Sequence, residues 1–232
     1  MKQTLYALTM TFLLASCGSE TTPSTLSESE KKQFTISDSY IEEVETPTLI
    51  VNQIMQDNMM LDTSSTSEVG VIIDAIVNTG KKIWKIIEDN QSVVNIKYHY
   101  ANALPKGISS ASELENFSKL QYRTFRMWGK NGFGMTAYDV TYTLVHQHGG
   151  SYQGNGQFLS TVAIIPTSVD VLWGFDLDFE TTEVSVTNAG SHLDPIAALT
   201  MEMAFKVSTI ISKHTETRVA HFRGDQSVAT LF

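Results

Sequence analysis

Three short constellations in this sequence bring together side chains able to do chemistry. His146-x-His148 places two imidazoles on one side of a strand, in phase with the apolar Tyr142 and Leu144. Zinc takes three or four such ligands, and no third stands at a diagnostic spacing, so the pair alone is an incomplete metal site. Asp176-x-Asp178-x-Glu180 sets three carboxylates on one face. Glycosidases use paired carboxylates about 5 to 9.5 Å apart, a separation Asp176 and Asp178 can just span. The competing reading is a solvated strand face paired with cross-strand bases such as Lys206 or Arg218. Arg223-Gly224-Asp225 spells a tripeptide that adhesion receptors read, but Gly-Asp also suits the turn that ends a strand. No Gly-x-Ser-x-Gly elbow, phosphate-binding Gly-x-x-x-x-Gly-Lys-Ser/Thr loop or His-Glu-x-x-His pair occurs. The chain therefore reads as non-enzymatic and without a cofactor.

The elements that position these residues are mostly strands. Val94, Ile96, Tyr98 and Tyr100 alternate with polar residues, and Lys119 to Trp128 forms a second strand. Gly129 to Gly134, which includes Asn131-Gly132, reads as a hairpin connection into a strand with Tyr138, Val140, Tyr142 and Leu144 inward. Gly149 to Gly156 is a longer loop. Phe133 and Tyr152 sit in these two connections, where binding residues are commonly displayed, and are the candidate ligand-binding positions. Phe158 to Ile165 is apolar on both faces and reads as a central strand stopped by Pro166. Val169, Val171, Trp173, Phe175, Leu177 and Phe179 then alternate as one long strand, which makes Trp173 a core residue. Ala197 to Val207 repeats the pattern, and Arg218 to Arg223 closes the domain. About seven or eight strands with Gly and Asn turns predict an antiparallel β-sandwich or flattened barrel. One amphipathic helix precedes it over about 66–90, opened by the capping box Ser65-x-x-Glu68 and carrying Val69, Ile72, Ile73, Ile76, Ile83 and Ile87 on one face. Gly80 interrupts that stripe, so a helix ending there is the alternative.

The N-terminus carries a different kind of signal. Lys2 and the apolar Leu5 to Leu14 have the form of an export signal, too short to span a bilayer core of about 30 Å. Leu14-Ala15-Ser16-Cys17 resembles the lipobox of bacterial lipoproteins, with small residues before the only cysteine of the chain. The resemblance covers the leader alone and implies removal of residues 1–16 as a signal peptide, with diacylglycerol on the Cys17 thiol and acylation of the new amino terminus. More than one acyl chain suffices for stable anchoring. Gly18 and Ser19 lack the aspartate that often retains such proteins at the inner membrane, so the resemblance implies a place at the outer membrane, facing the periplasm or the outside.

Composition bounds the rest. Residues 18–64 carry nine acids against Lys31 and Lys32 and are rich in Ser and Thr, which predicts that 17–64 is the lipidated cysteine and an acidic tether. Thr48 to Val51 and Ile54 to Leu61 are apolar enough to dock as a short element. Residues 65–232 form the single folded domain. With Cys17 lipidated no disulfide remains, so stability rests on the core that a 42% hydrophobic composition permits. A formal net charge of −9 with no basic stripe argues against nucleic acid. The expectation is a lipid-anchored cell-envelope binding module whose partner is an envelope protein or glycan. The alternatives are a polysaccharide hydrolase using Asp176 and Asp178, or a membrane-perturbing β protein.

Overall fold

The computed structural model describes residues 26–48, 52, 94–97 and 99–232. The leader, Cys17 and the helix expected over 66–90 lie outside the described residues. The fold is a β-sandwich of two five-stranded sheets with one short helix. The first sheet has the order β1-β4-β5-β6-β3, from Ile36–Val44, Gln121–Asn131, Thr136–Tyr152, Asn155–Val171 and Tyr100–Ala103. The second has the order β10-β9-β8-β7-β2, from Thr230–Leu231, Lys213–Arg223, Ala197–Ser208, Asp176–Asn188 and Val94–Lys97. Pairing is antiparallel except where β2 runs parallel to β7. An aromatic stack joins the sheets: Tyr142 meets Phe125 of its own sheet at 5.9 Å, and Phe205 and Phe179 of the other at 5.8 and 6.4 Å.

The inward residues expected for β5 and β8 are buried: Tyr138, Val140, Tyr142 and Leu144 in one, and the alternate positions from Ala197 to Val207 in the other. Three differences have clear physical causes. Helix α1 (Glu28–Gln33) and strand β1 fall inside the segment read as tether. Ser27 caps α1, its hydroxyl accepting from the Glu30 amide while the Glu30 carboxylate accepts from the Ser27 amide. Strand β1 is polar, yet it pairs with β4 through matched opposites, Tyr40 against Trp128, Glu42 against Arg126 and Asp38 against Lys130. Such cross-strand pairs stabilise a sheet without an apolar face.

Second, strand β6 continues through Pro166. The register shifts there, with Thr141 opposite Ser168 and Tyr142 opposite Pro166, so Thr167 is an extra residue and the missing proline N–H falls at a bulge. Third, the long alternating run from Val169 to Phe179 is two strands in different sheets. Gly174, at φ +86°, turns the chain between them, and the Phe175 amide donates to the Leu172 carbonyl at 3.1 Å. Both halves face the same core, so the alternation continues across the break. Trp173 is on the turn and 82% exposed, a correction to its expected place in the core. Residues 94–103 likewise divide between the sheets as β2 and β3. Val94 and Ile96 are buried as expected, and Tyr100 is exposed.

Candidate functional site

Two regions of the sandwich present unusual surfaces, and neither centres on the residues singled out from the sequence. The first is one end of the sandwich. Here the turns 132–135, 172–175 and 209–212 meet the end of α1. Residues 32–34 tie them together: the Gly132 amide donates to the Lys32 carbonyl at 2.9 Å, and the Thr209 and Ser212 hydroxyls donate to the Phe34 carbonyl at 2.9 and 2.5 Å. The Phe34 ring plugs the end, 6.2 Å from Trp173 and 6.3 Å from Phe175. Each turn carries its own hydrogen bonds. Asn131 is fully buried, its side-chain carbonyl accepting from the amides of Phe133 and Met135 at 3.0 and 3.1 Å. On this frame stand Trp173, Ile210 (75% exposed), Phe133 (52%) and Met135 (42%).

The second region is the open side of the sandwich, between edge strand β1 and strands β9 and β10. A cleft of about 370 Å³ is floored by Phe125, Ala229 and Leu231 and rimmed by Ile41, Val228 and Phe232, with Arg123 and Arg218 inside it and Glu42 and Glu43 beside them. Arg123 spans its mouth. It donates to both Glu43 oxygens at 2.9 and 2.6 Å and to the Ala229 carbonyl, and it lies over the Phe125 ring at 5.0 Å. The Arg123 hydrogen bond holds the Glu43 carboxyl below its ordinary value. Sequence reasoning missed this cleft because β1 lay in the segment read as tether.

Deeper along that side, the Ser39 hydroxyl lies 3.1 Å from His214 Nε2 and 2.8 Å from the Tyr138 hydroxyl. Glu216 Oε2 is 3.7 Å from the same His214 nitrogen, and its other oxygen pairs with Arg218. A serine nucleophile needs its histidine base oriented by an acid at the opposite ring nitrogen. With serine and glutamate both on Nε2, this cluster bridges β1 to β9 without forming a relay.

The sequence-derived positions separate. Phe133 and Tyr152 are both exposed but lie at opposite ends of the 17-residue strand β5; the loop expected over 149–156 is corrected to a two-residue turn at Gln153 and Gly154, and Tyr152 is the last residue of the strand. His146 and His148 do share a side of that strand, their rings 6.0 Å apart. His146 is 2% exposed, edge-on to Phe222 at 5.4 Å, and its Nε2 faces the Gln226 carbonyl at 3.4 Å. Burial lowers its pKa to about 4. No group of three metal-ligating side chains occurs among the described residues. Asp178 meets Lys206 at 2.8 Å and Asn95 at 3.2 Å, and the Lys206 hydrogen bond lowers its pKa. A glycosidase's general acid needs the opposite shift. Arg223 closes on Asp225 through two hydrogen bonds of 2.9 and 2.8 Å, so the charged ends of the Arg-Gly-Asp tripeptide occupy each other. A Cβ on Gly224 would lie 2.1 Å from the Gln157 carbonyl oxygen, which locks that turn against the sheet.

The class defined by fold and surface is a β-sandwich with a clefted open side and an apolar loop end. No family model matches the chain, and neither a curated protein nor a solved structure matches it.

Proposed function

We propose that this chain is a lipid-anchored protein of the bacterial cell envelope, most consistent with the outer membrane. In this reading it acts without catalysis, as a module that binds an extended segment of a partner protein in the cleft between β1 and β10. The observation that carries the reading is the pairing of that cleft with an open strand edge. Among the described residues the only strand paired with β1 is β4, so its outer edge has no strand partner among them, the arrangement that β-strand addition uses. The apolar floor and the facing Arg and Glu side chains suit a peptide with alternating apolar and charged residues better than a glycan, which favours flat exposed rings. The lipobox Leu14-Ala15-Ser16-Cys17 supports the anchor.

The binding is tested with a photo-activatable residue at Val228 on the rim, compared with one at Val184, an exposed position on β7. A discrete adduct at Val228 that weakens on Ile41→Ser or Phe232→Ser supports the reading. Equal labelling at both positions, or an adduct that survives both changes, contradicts it.

A further inference from the structure

The loop end of the sandwich has no role in binding at the cleft, yet its three turns display four exposed apolar side chains, Trp173, Ile210, Phe133 and Met135. We propose that this end docks onto the lipid bilayer, inserting Trp173 and Ile210, flanked by Phe133 and Met135, into the interfacial layer. The inference rests on the lipid-anchor reading for the nearness of a membrane, and on independent geometry for the choice of face.

Three observations lead to it. First, the exposed side chains are of the kinds that partition into a membrane interface. Trp173 and Ile210 are 82% and 75% exposed; the Ile210 turn is held by the Thr209 and Ser212 hydroxyls donating to the Phe34 carbonyl, and the Trp173 turn by the Phe175 amide donating to the Leu172 carbonyl, with the Phe34 ring 6.2 Å from Trp173. Contiguous exposed apolar groups on a rigid frame mark a contact surface, and tryptophan in particular prefers the lipid–water boundary.

Second, the chain arrives at this end. The described structure begins at α1, whose last turn is bonded to the turns that carry the apolar residues. From Cys17 to Ser27 the chain advances ten residues, a reach of at most about 35 Å when fully extended. The 17–64 tether expected from composition would have left the domain free to turn. With β1 and α1 folded into the sandwich, the linkage is short and joins the domain at its apolar end.

Third, the charges fit an apolar contact. Lys31 is paired with Glu28 at 2.7 Å and Lys130 lies over the Tyr40 ring at 5.8 Å, so two of the lysines nearest this end are already engaged. Docking here depends on apolar insertion and not on anionic headgroups. It also directs the cleft away from the surface, because its lining residues Glu43 and Arg123 lie toward the opposite end of β1 and β4.

The test uses the protein purified with detergent from its own membranes and reconstituted into vesicles of zwitterionic phosphatidylcholine, with or without bromine on the acyl chains. Bromine quenches tryptophan on contact. The proposal expects brominated lipid to lower the emission of the wild-type protein and expects that loss to shrink in Trp173→Phe, a change at an exposed site that leaves the core untouched. A second variant, Leu193→Trp in the Trp173→Phe background, places the reporter on the loop at the far end, where Leu193 is 85% exposed. It is expected to escape quenching. Equal emission losses for wild type and Trp173→Phe overturn the proposal, whether the end faces solvent or is covered by residues 65–90 of the same chain. Quenching of the far-end reporter overturns it as well. The mass of the N-terminal peptide from the same preparation reports the anchor separately. Acylated Cys17 with unquenched Trp173 removes the docking and keeps the anchor; quenched Trp173 with unmodified Cys17 does the reverse.

Discussion

His146 shows how a residue of chemical promise is used for structure. Its ring is packed against Phe222 and faces the Gln226 carbonyl, with the His148 ring 6.0 Å away. Burial holds it neutral to about pH 4, against an ordinary value of 6.5. The unfolded chain therefore takes up a proton that the folded chain refuses between those values, and stability falls as pH drops through that window. The full effect is about 3 kcal/mol, of which about 2 kcal/mol is lost between pH 7 and pH 5. Denaturant midpoints at the two pH values are expected to separate less in His146→Gln than in the wild type; an unchanged separation contradicts the buried neutral imidazole. A histidine serving a metal would instead keep its lone pair turned toward other ligands. Tyr142 carries a similar message, since its hydroxyl finds no hydrogen-bond partner among the described residues and its ring is the centre of the inter-sheet stack.

At the scale of elements, the sandwich depends on glycines that make room for cross-strand rings. Gly129 stands directly opposite Tyr138, and a Cβ there would lie 2.2 Å from the Tyr138 ring. Gly129→Ala is expected to cost about 1–3 kcal/mol by overpacking, read as a lower denaturation midpoint. A neutral result would mean that the Tyr138 ring, which also bonds Ser39, has freedom the packing denies it. The sheet elements with strict alternation were legible in the sequence: β5 and β8 carried their inward faces openly, and Asn131-Gly132 marked its turn. The edge strand β1 was not, because its stability comes from partners 80 or more residues away, such as Arg123 for Glu43. Period-two alternation also cannot register a change of sheet, since residues before and after Gly174 face one core. That is why the alternation predicts Trp173 inside although it stands outside. The cleft was hidden for the same reason as β1. The His146–His148 side-sharing and the Asp178–Lys206 pair were visible because both depend only on strand register.

At the scale of the whole molecule, the account joins an anchor, an apolar end and a cleft. No helix among the described residues is long and apolar enough to cross a membrane, and the proposed attachment is lipid on Cys17 reinforced by contact through Trp173 and Ile210. In the proposed arrangement the short linkage orients the sandwich and the open side between β1 and β10 is the face offered to a partner. A contact of this kind alone is weak and reversible, whereas two or more acyl chains hold firmly, so in the proposed arrangement the anchor sets the location. The most direct measurement is fractionation of cells carrying Cys17→Ala beside the wild type. The account predicts that the wild-type protein sediments with the envelope membranes and resists a salt wash, while Cys17→Ala retains its leader unprocessed at Cys17 or leaves the washed membrane fraction. Wild-type processing together with undiminished, wash-resistant membrane association of Cys17→Ala would contradict it.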